Sequence, residues 1–186
     1  MWYLRPLQRA ARLAAVALLV GAIAGEAAVA QASTATGLAS IPSSIRAEHH
    51  EVHDALGRAT KLGGRTGVAA RALAALLQPH FEREEQIALP PLSMLAPLAR
   101  DARVAAPAWL LPMTDSLRRE LPGMLREHEA IRAATRRLGE AARSEGQVAV
   151  AQFTERLLLH ASSEEQVLYP AAILVGDLVR ARAPRR

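Results

Sequence analysis

Apolar residues recur at helical spacing along this chain in four stretches, and breakers separate the stretches. Ile45, Val52 and Leu56 follow Pro42-Ser43-Ser44, which reads as a helix start, and Gly63-Gly64 stops that helix. Leu73, Leu76 and Leu77 mark a second helix over about residues 66–87, with a local bend expected at Pro79. Pro90, Pro91, Pro97, Pro107 and Pro112 predict a long, broken connection. Thr114 or Asp115 caps a third helix that runs to about residue 143, and residues 144–146 form a turn. The fourth helix spans about residues 147–182, with a bend expected at Pro170. Two short links and one long one predict an all-α, up-down four-helix bundle.

Composition agrees with the pattern. Ala, Leu, Arg and Glu dominate, and these favour helix, while aromatics make up only 3%. With 51% hydrophobic residues in 186, one domain can bury a core without disulfide staples. There is no cysteine, which excludes iron–sulfur clusters, thiolate zinc sites, c-type haem attachment and thiol catalysis. Any metal must be held by His, Asp or Glu.

The start of the chain reads as a leader. Arg5, Arg9 and Arg12 precede an uncharged apolar run over residues 13–24, and Ala28-Val29-Ala30 offers small-residue cleavage. The run is too short to span a bilayer comfortably. The expected organisation is a signal peptide (1–30, cleaved near 30 or 32), a linker (31–40), a helical bundle (41–182) and a basic tail (183–186). Export, in a bacterium to the periplasm, follows, with no membrane partner once the leader is removed. The net charge of +5 is scattered outside the Arg180, Arg182, Arg185, Arg186 tail, and stacking aromatics are missing, so nucleic acid is not an expected partner. No Ser-His-Asp set, phosphate loop or nucleotide fingerprint occurs. Oligomeric state is open.

A repeat carries the chemistry. The second helix holds His80-Phe81-Glu82-Arg83-Glu84-Glu85 with Pro90 ten residues after the His. The fourth holds His160-Ala161-Ser162-Ser163-Glu164-Glu165 with Pro170 at the same offset. Glu48-His49 on the first helix matches Glu127-His128 on the third. The chain is thus one helical hairpin used twice. His and Glu four residues apart share a helix face. His49, His80, Glu84, His128, His160 and Glu164 are therefore the candidate metal ligands. Imidazole and carboxylate suit Fe, Mn or Zn. If both glutamates bridge, each of two metals has two nitrogens and two oxygens, with room left for a small ligand. His53 lies one turn after His49 and can replace or join it. Glu85 and Glu165 sit about 140° from their histidines on a straight helix. They read as outer partners or surface groups, although a bend at Pro170 can bring Glu165 in. Glu48 and Glu127 read equally as partners of the histidines or as solvated groups, and Tyr169 reads as packing.

These motifs resemble the hemerythrin-like, or HHE cation-binding, domains over roughly residues 41–180. The resemblance implies a non-haem di-iron centre bridged by two carboxylates and an oxygen species. Oxygen-carrying members place a second His one turn after the third-helix His, where Arg132 stands, and an Asp where Glu165 stands. The four-histidine pattern is more similar to members that sense oxygen or iron or handle peroxide or nitric oxide. The expected cofactor is two Fe ions, with Mn or Zn as alternatives, and the expected partner is a small diatomic or peroxide. The alternative is a non-catalytic iron-binding or sensing module.

Overall fold

The computed structural model describes residues 40–101 and 103–182. The expected signal peptide, all but the last residue of the linker, and the basic tail lie outside the described residues. Within them the chain forms α1 (Ser43–Thr60), α2 (Gly64–Arg83), α3 (Leu95–Arg100), α4 (Leu110–Ser144), α5 (Val148–Ser163) and α6 (Tyr169–Arg182). No described residue lies in a strand. α5 continues through a π-helical turn (Glu164–Leu168) into α6, which leaves four long helices. α1 packs on α2 and α5, and α4 packs on α2, α5 and α6, so the helices close a ring of neighbours. This is the four-helix bundle the pattern predicts. None of the described helices is long and apolar enough to cross a membrane.

Two details differ from the sequence expectation. α4 starts at Leu110 rather than at Thr114 or Asp115. Pro112 falls in its first turn, where a missing N–H leaves no bond unmade. The Thr114 hydroxyl instead donates back to the Leu111 carbonyl at 3.1 Å. The second difference is the pair of widened turns. The Leu89 N–H donates to the Glu84 carbonyl, and the Tyr169 N–H donates to the Glu164 carbonyl, each five residues back. Pro90 and Pro170 follow directly. A proline has no N–H for the carbonyl four residues back, and its ring would strike that carbonyl. The chain widens by one residue just before each proline, in the same register of the repeat.

At the opposite end, two tight turns carry glycine in the left-handed region, Gly64 at φ 65° and Gly146 at φ 69°. The Glu145 carboxylate accepts the N–H groups of Arg65 (2.7 Å) and Thr66 (3.0 Å). A residue of one hairpin turn thus caps the helix of the other hairpin. Thr66, by its side chain and then its N–H, and after it the Arg65 N–H hold the Glu145 carboxyl below its usual range.

Two apolar clusters divide the bundle along its length. One gathers Leu56, Leu73, Leu77, Phe81, Leu138 and Leu157. The other gathers Leu89, Leu92, Leu117, Met124, Tyr169 and Ala172. On every long helix the sequence passes from one cluster to the other through a histidine: His49, His80, His128 or His160. The polar layer between the clusters is where the candidate ligands meet.

Candidate metal centre

Each bundle helix sends one histidine inward. His49 comes from α1, His80 from the last turn of α2, His128 from the middle of α4 and His160 from the last turn of α5. Glu84 and Glu164 follow one turn after His80 and His160, at the mouths of the π-helical turns. All six side chains are at most 5% exposed.

They converge as two adjoining groups. His80, His128, Glu84 and Glu164 form the first, and His49, His160 and Glu164 form the second. In the first, His80 Nε2 and His128 Nε2 are 2.7 Å apart, Glu84 Oε1 is 3.3 Å from His80 Nε2, and Glu164 Oε2 is 3.5 Å from His128 Nε2. In the second, Glu164 Oε1 is 2.9 Å from His160 Nε2 and 3.5 Å from His49 Nε2. Glu84 Oε2 turns toward the second group, 3.7 Å from His49 Nε2. Each carboxylate therefore presents one oxygen to each group.

The donor set fits a pair of cations. Two donors bound to one metal at about 2.1 Å lie about 3.0–3.4 Å apart, close to the spacings here. His49 Nε2, His160 Nε2, Glu84 Oε2 and Glu164 Oε1 are buried without a hydrogen-bond partner. Buried polar atoms are rarely left so. All four point into the second group, where a cation would satisfy them together.

The outer faces of the imidazoles show a second pattern. His49 Nδ1 meets Glu85 (3.3 Å), His80 Nδ1 meets Glu127 (2.8 Å), His128 Nδ1 meets Glu165 (2.8 Å), and His160 Nδ1 meets Glu48 (3.0 Å). Every histidine is held by a glutamate of the next segment around the ring: α1 to the π-helical turn after α2, α2 to α4, α4 to the π-helical turn after α5, α5 to α1. A carboxylate only accepts, so each Nδ1–H donates outward and leaves the Nε2 lone pair for a metal. Arg132 grips Glu165 through both carboxylate oxygens, at 2.8 and 2.7 Å.

The sequence reading left these four glutamates and Tyr169 outside the ligand set. The signal for the glutamates was the doubled Glu-Glu and Glu-His spacing, which supplies one outer carboxylate per histidine. Tyr169 carried no such signal. On a straight α-helix it faces well away from Glu164, whereas the π-helical turn brings a residue five positions on nearly above the first. Its hydroxyl donates to Glu84 Oε1 and lies 3.2 Å from His128 Nε2. His50 and His53 are exposed, and His53 rests edge-on against Phe81.

The metal-free electrostatics follow from this layout. Burial opposes charge on His80 and His160, but Glu84 and Glu127 for the one, and Glu164 and Glu48 for the other, outweigh it and raise both to about 9. His128 moves down, through burial and the neighbouring charge of His80. His80 Nε2 and His128 Nε2 stand 2.7 Å apart where both face one cation position. Burial and the charge of Glu164 push Glu84 up. For Glu164 burial pushes the same way, but the close imidazoles of His160 and His49 prevail and hold it down.

Comparison with known proteins points the same way. Residues 40–172 match the family model described as the hemerythrin HHE cation binding domain. No curated protein and no solved structure matches. The match covers well over half of the chain, and the buried His/Glu groups fall inside it. The chain belongs to the hemerythrin HHE cation-binding domain family, whose fold and metal-binding character it shares.

Proposed function

We propose that the protein holds a non-haem di-iron centre that binds or reacts with a small oxidant: dioxygen, peroxide or nitric oxide. The observation that carries this reading is the pair of adjoining buried donor groups sharing both carboxylates, with four donor atoms otherwise unsatisfied. His80 and His128 would hold one iron and His49 and His160 the other, with Glu84 and Glu164 reaching both. Bound iron would supply one-electron chemistry and coordination positions for a small ligand. The chain supplies the rest. Outer carboxylates fix the imidazoles, and apolar clusters lie on either side of the donor layer. The donor types admit Mn or Zn as well, and iron is preferred on the family resemblance. The leader-like residues 1–30 further support export, to the periplasm of a bacterium, where the metal would be loaded.

The experiment is to load the reduced protein with iron(II) without air and then add dioxygen, peroxide or nitric oxide. A rapid change in the visible spectrum with one of them supports the reading. Bound iron that responds to none of them favours the non-catalytic iron-binding module instead.

A further inference from the structure

The two halves of the centre are repeats, but they are not equal. The repeat pairs His80 with His160, Glu84 with Glu164, Glu85 with Glu165 and Leu89 with Tyr169. On the other two helices it pairs His49 with His128 and His53 with Arg132.

The first inequality is Tyr169. It is fully buried among Leu117, Met124 and Ala172. Its hydroxyl donates to Glu84 Oε1, the oxygen that faces His80, and lies 3.2 Å from His128 Nε2. The phenol oxygen therefore stands among the donors of the first group at the spacing those donors keep from one another. Leu89, its counterpart, is equally buried and carries no donor. The His80–His128 position is surrounded by two nitrogens, two carboxylate oxygens and the phenol, whereas the His49–His160 position has only the first four.

The second inequality lies outside. Arg132 and Glu165 form a two-toothed ion pair over His128. The counterpart of Arg132 is the exposed His53, and a cleft of about 510 Å³ opens beside it, lined by His53, Phe81 and Glu85. Phe81 stacks on His49 at 4.4 Å, and Glu85 holds its Nδ1. Clefts reach both positions, one of about 280 Å³ lined by His80 and Glu127 and one of about 100 Å³ lined by His160 and Glu48, so the outer difference is the Arg132–Glu165 clamp over His128, which His53 does not reproduce over His49.

We propose that Tyr169 makes the two cation positions unequal: it fills the remaining place at His80–His128, so that an added small anion binds only at His49–His160. A ligand entering the first position would have to displace a packed tyrosine and strip Glu84 of its hydrogen bond. At the second position nothing of the kind stands in the way. This rests on the two-cation reading above.

The test uses azide on the full chain loaded with cobalt(II), with metal content measured before azide is added. The expected result is two cations and one azide per unchanged chain, and two azides for Tyr169→Leu, which installs the residue its counterpart already carries. An azide-soaked crystal structure should place the anion on the His49–His160 cation. Fewer than two cations would remove the two-cation reading, and this inference with it. Two cations with two azides or none, an azide bridging both cations or on the His80–His128 cation, or a folded Tyr169→Leu protein that still takes one, would overturn the role of Tyr169 alone. If Tyr169→Leu does not fold, the count and position of azide in the unchanged protein still decide.

Discussion

Glu165→Gln should weaken cation binding more than the same change at any other outer carboxylate. His128 Nδ1 donates to Glu165 at 2.8 Å, and Arg132 holds both of its oxygens. Glutamine keeps the shape but removes the charge and one of the two acceptors, so His128 and Arg132 then compete for a single oxygen. Loss of such an outer partner costs about 10–100-fold in metal affinity, which is about 1.4–2.8 kcal/mol. Glu165 is only 22% exposed, so its interaction is the least screened of the four and belongs at the upper end. Glu127 and Glu48 make contacts of 2.8 and 3.0 Å, but each is 54% exposed, which places them between. Glu85, at 3.3 Å and 44% exposed, should cost least, under about tenfold. The assay is competition for zinc(II) against a chromophoric chelator, with circular dichroism to confirm that each variant is folded. Equal losses at all four positions, or unchanged affinity for Glu165→Gln, would refute the idea that the outer ring orients the imidazoles.

Further outcomes follow from the same layout. His80→Ala and His160→Ala should each lose bound metal, whereas the exposed His50→Ala should keep it; equal metal content in all three would sink the ligand assignment. In the metal-free protein, His80 and His160 titrate near 9, above their ordinary value of 6.5. The stability they contribute is complete below pH 6.5 and is lost as pH rises through 9, so the metal-free Tm should fall across that window. The loaded protein should lack that slope, and metal affinity should rise with pH as binding displaces the two protons; calorimetry at stepped pH reads both. Leu138 is fully buried in the cluster beyond the histidines. Leu138→Ala should cost about 3 kcal/mol in denaturant unfolding while leaving the metal count unchanged, because the cavity forms away from the donors.

The bundle was legible because its signals are local and repeated. Helical spacing, glycine turns and the doubled His-x-x-x-Glu motif each point to the same hairpin used twice. The start of α4 was not, because Pro112 breaks a helix interior yet suits a first turn, and the sequence does not say which position it occupies. The π-helical turns were hidden for a related reason. Pro90 and Pro170 announce a disturbance, but a kink and a widened turn are equally open to the chain. That ambiguity is what concealed Tyr169, since its direction depends on the single extra residue in the turn. The outer glutamates were visible as residues but not as partners. Each serves a histidine on a different helix, so the contact exists only once four helices are ranked in order around the bundle.

The most direct measurement is the metal content of the purified chain, taken together with its ultraviolet–visible spectrum in air. Two irons per chain, with charge-transfer bands of an oxygen-bridged pair, is the result the account predicts. A folded protein that remains metal-free and takes up no iron when reduced would contradict it.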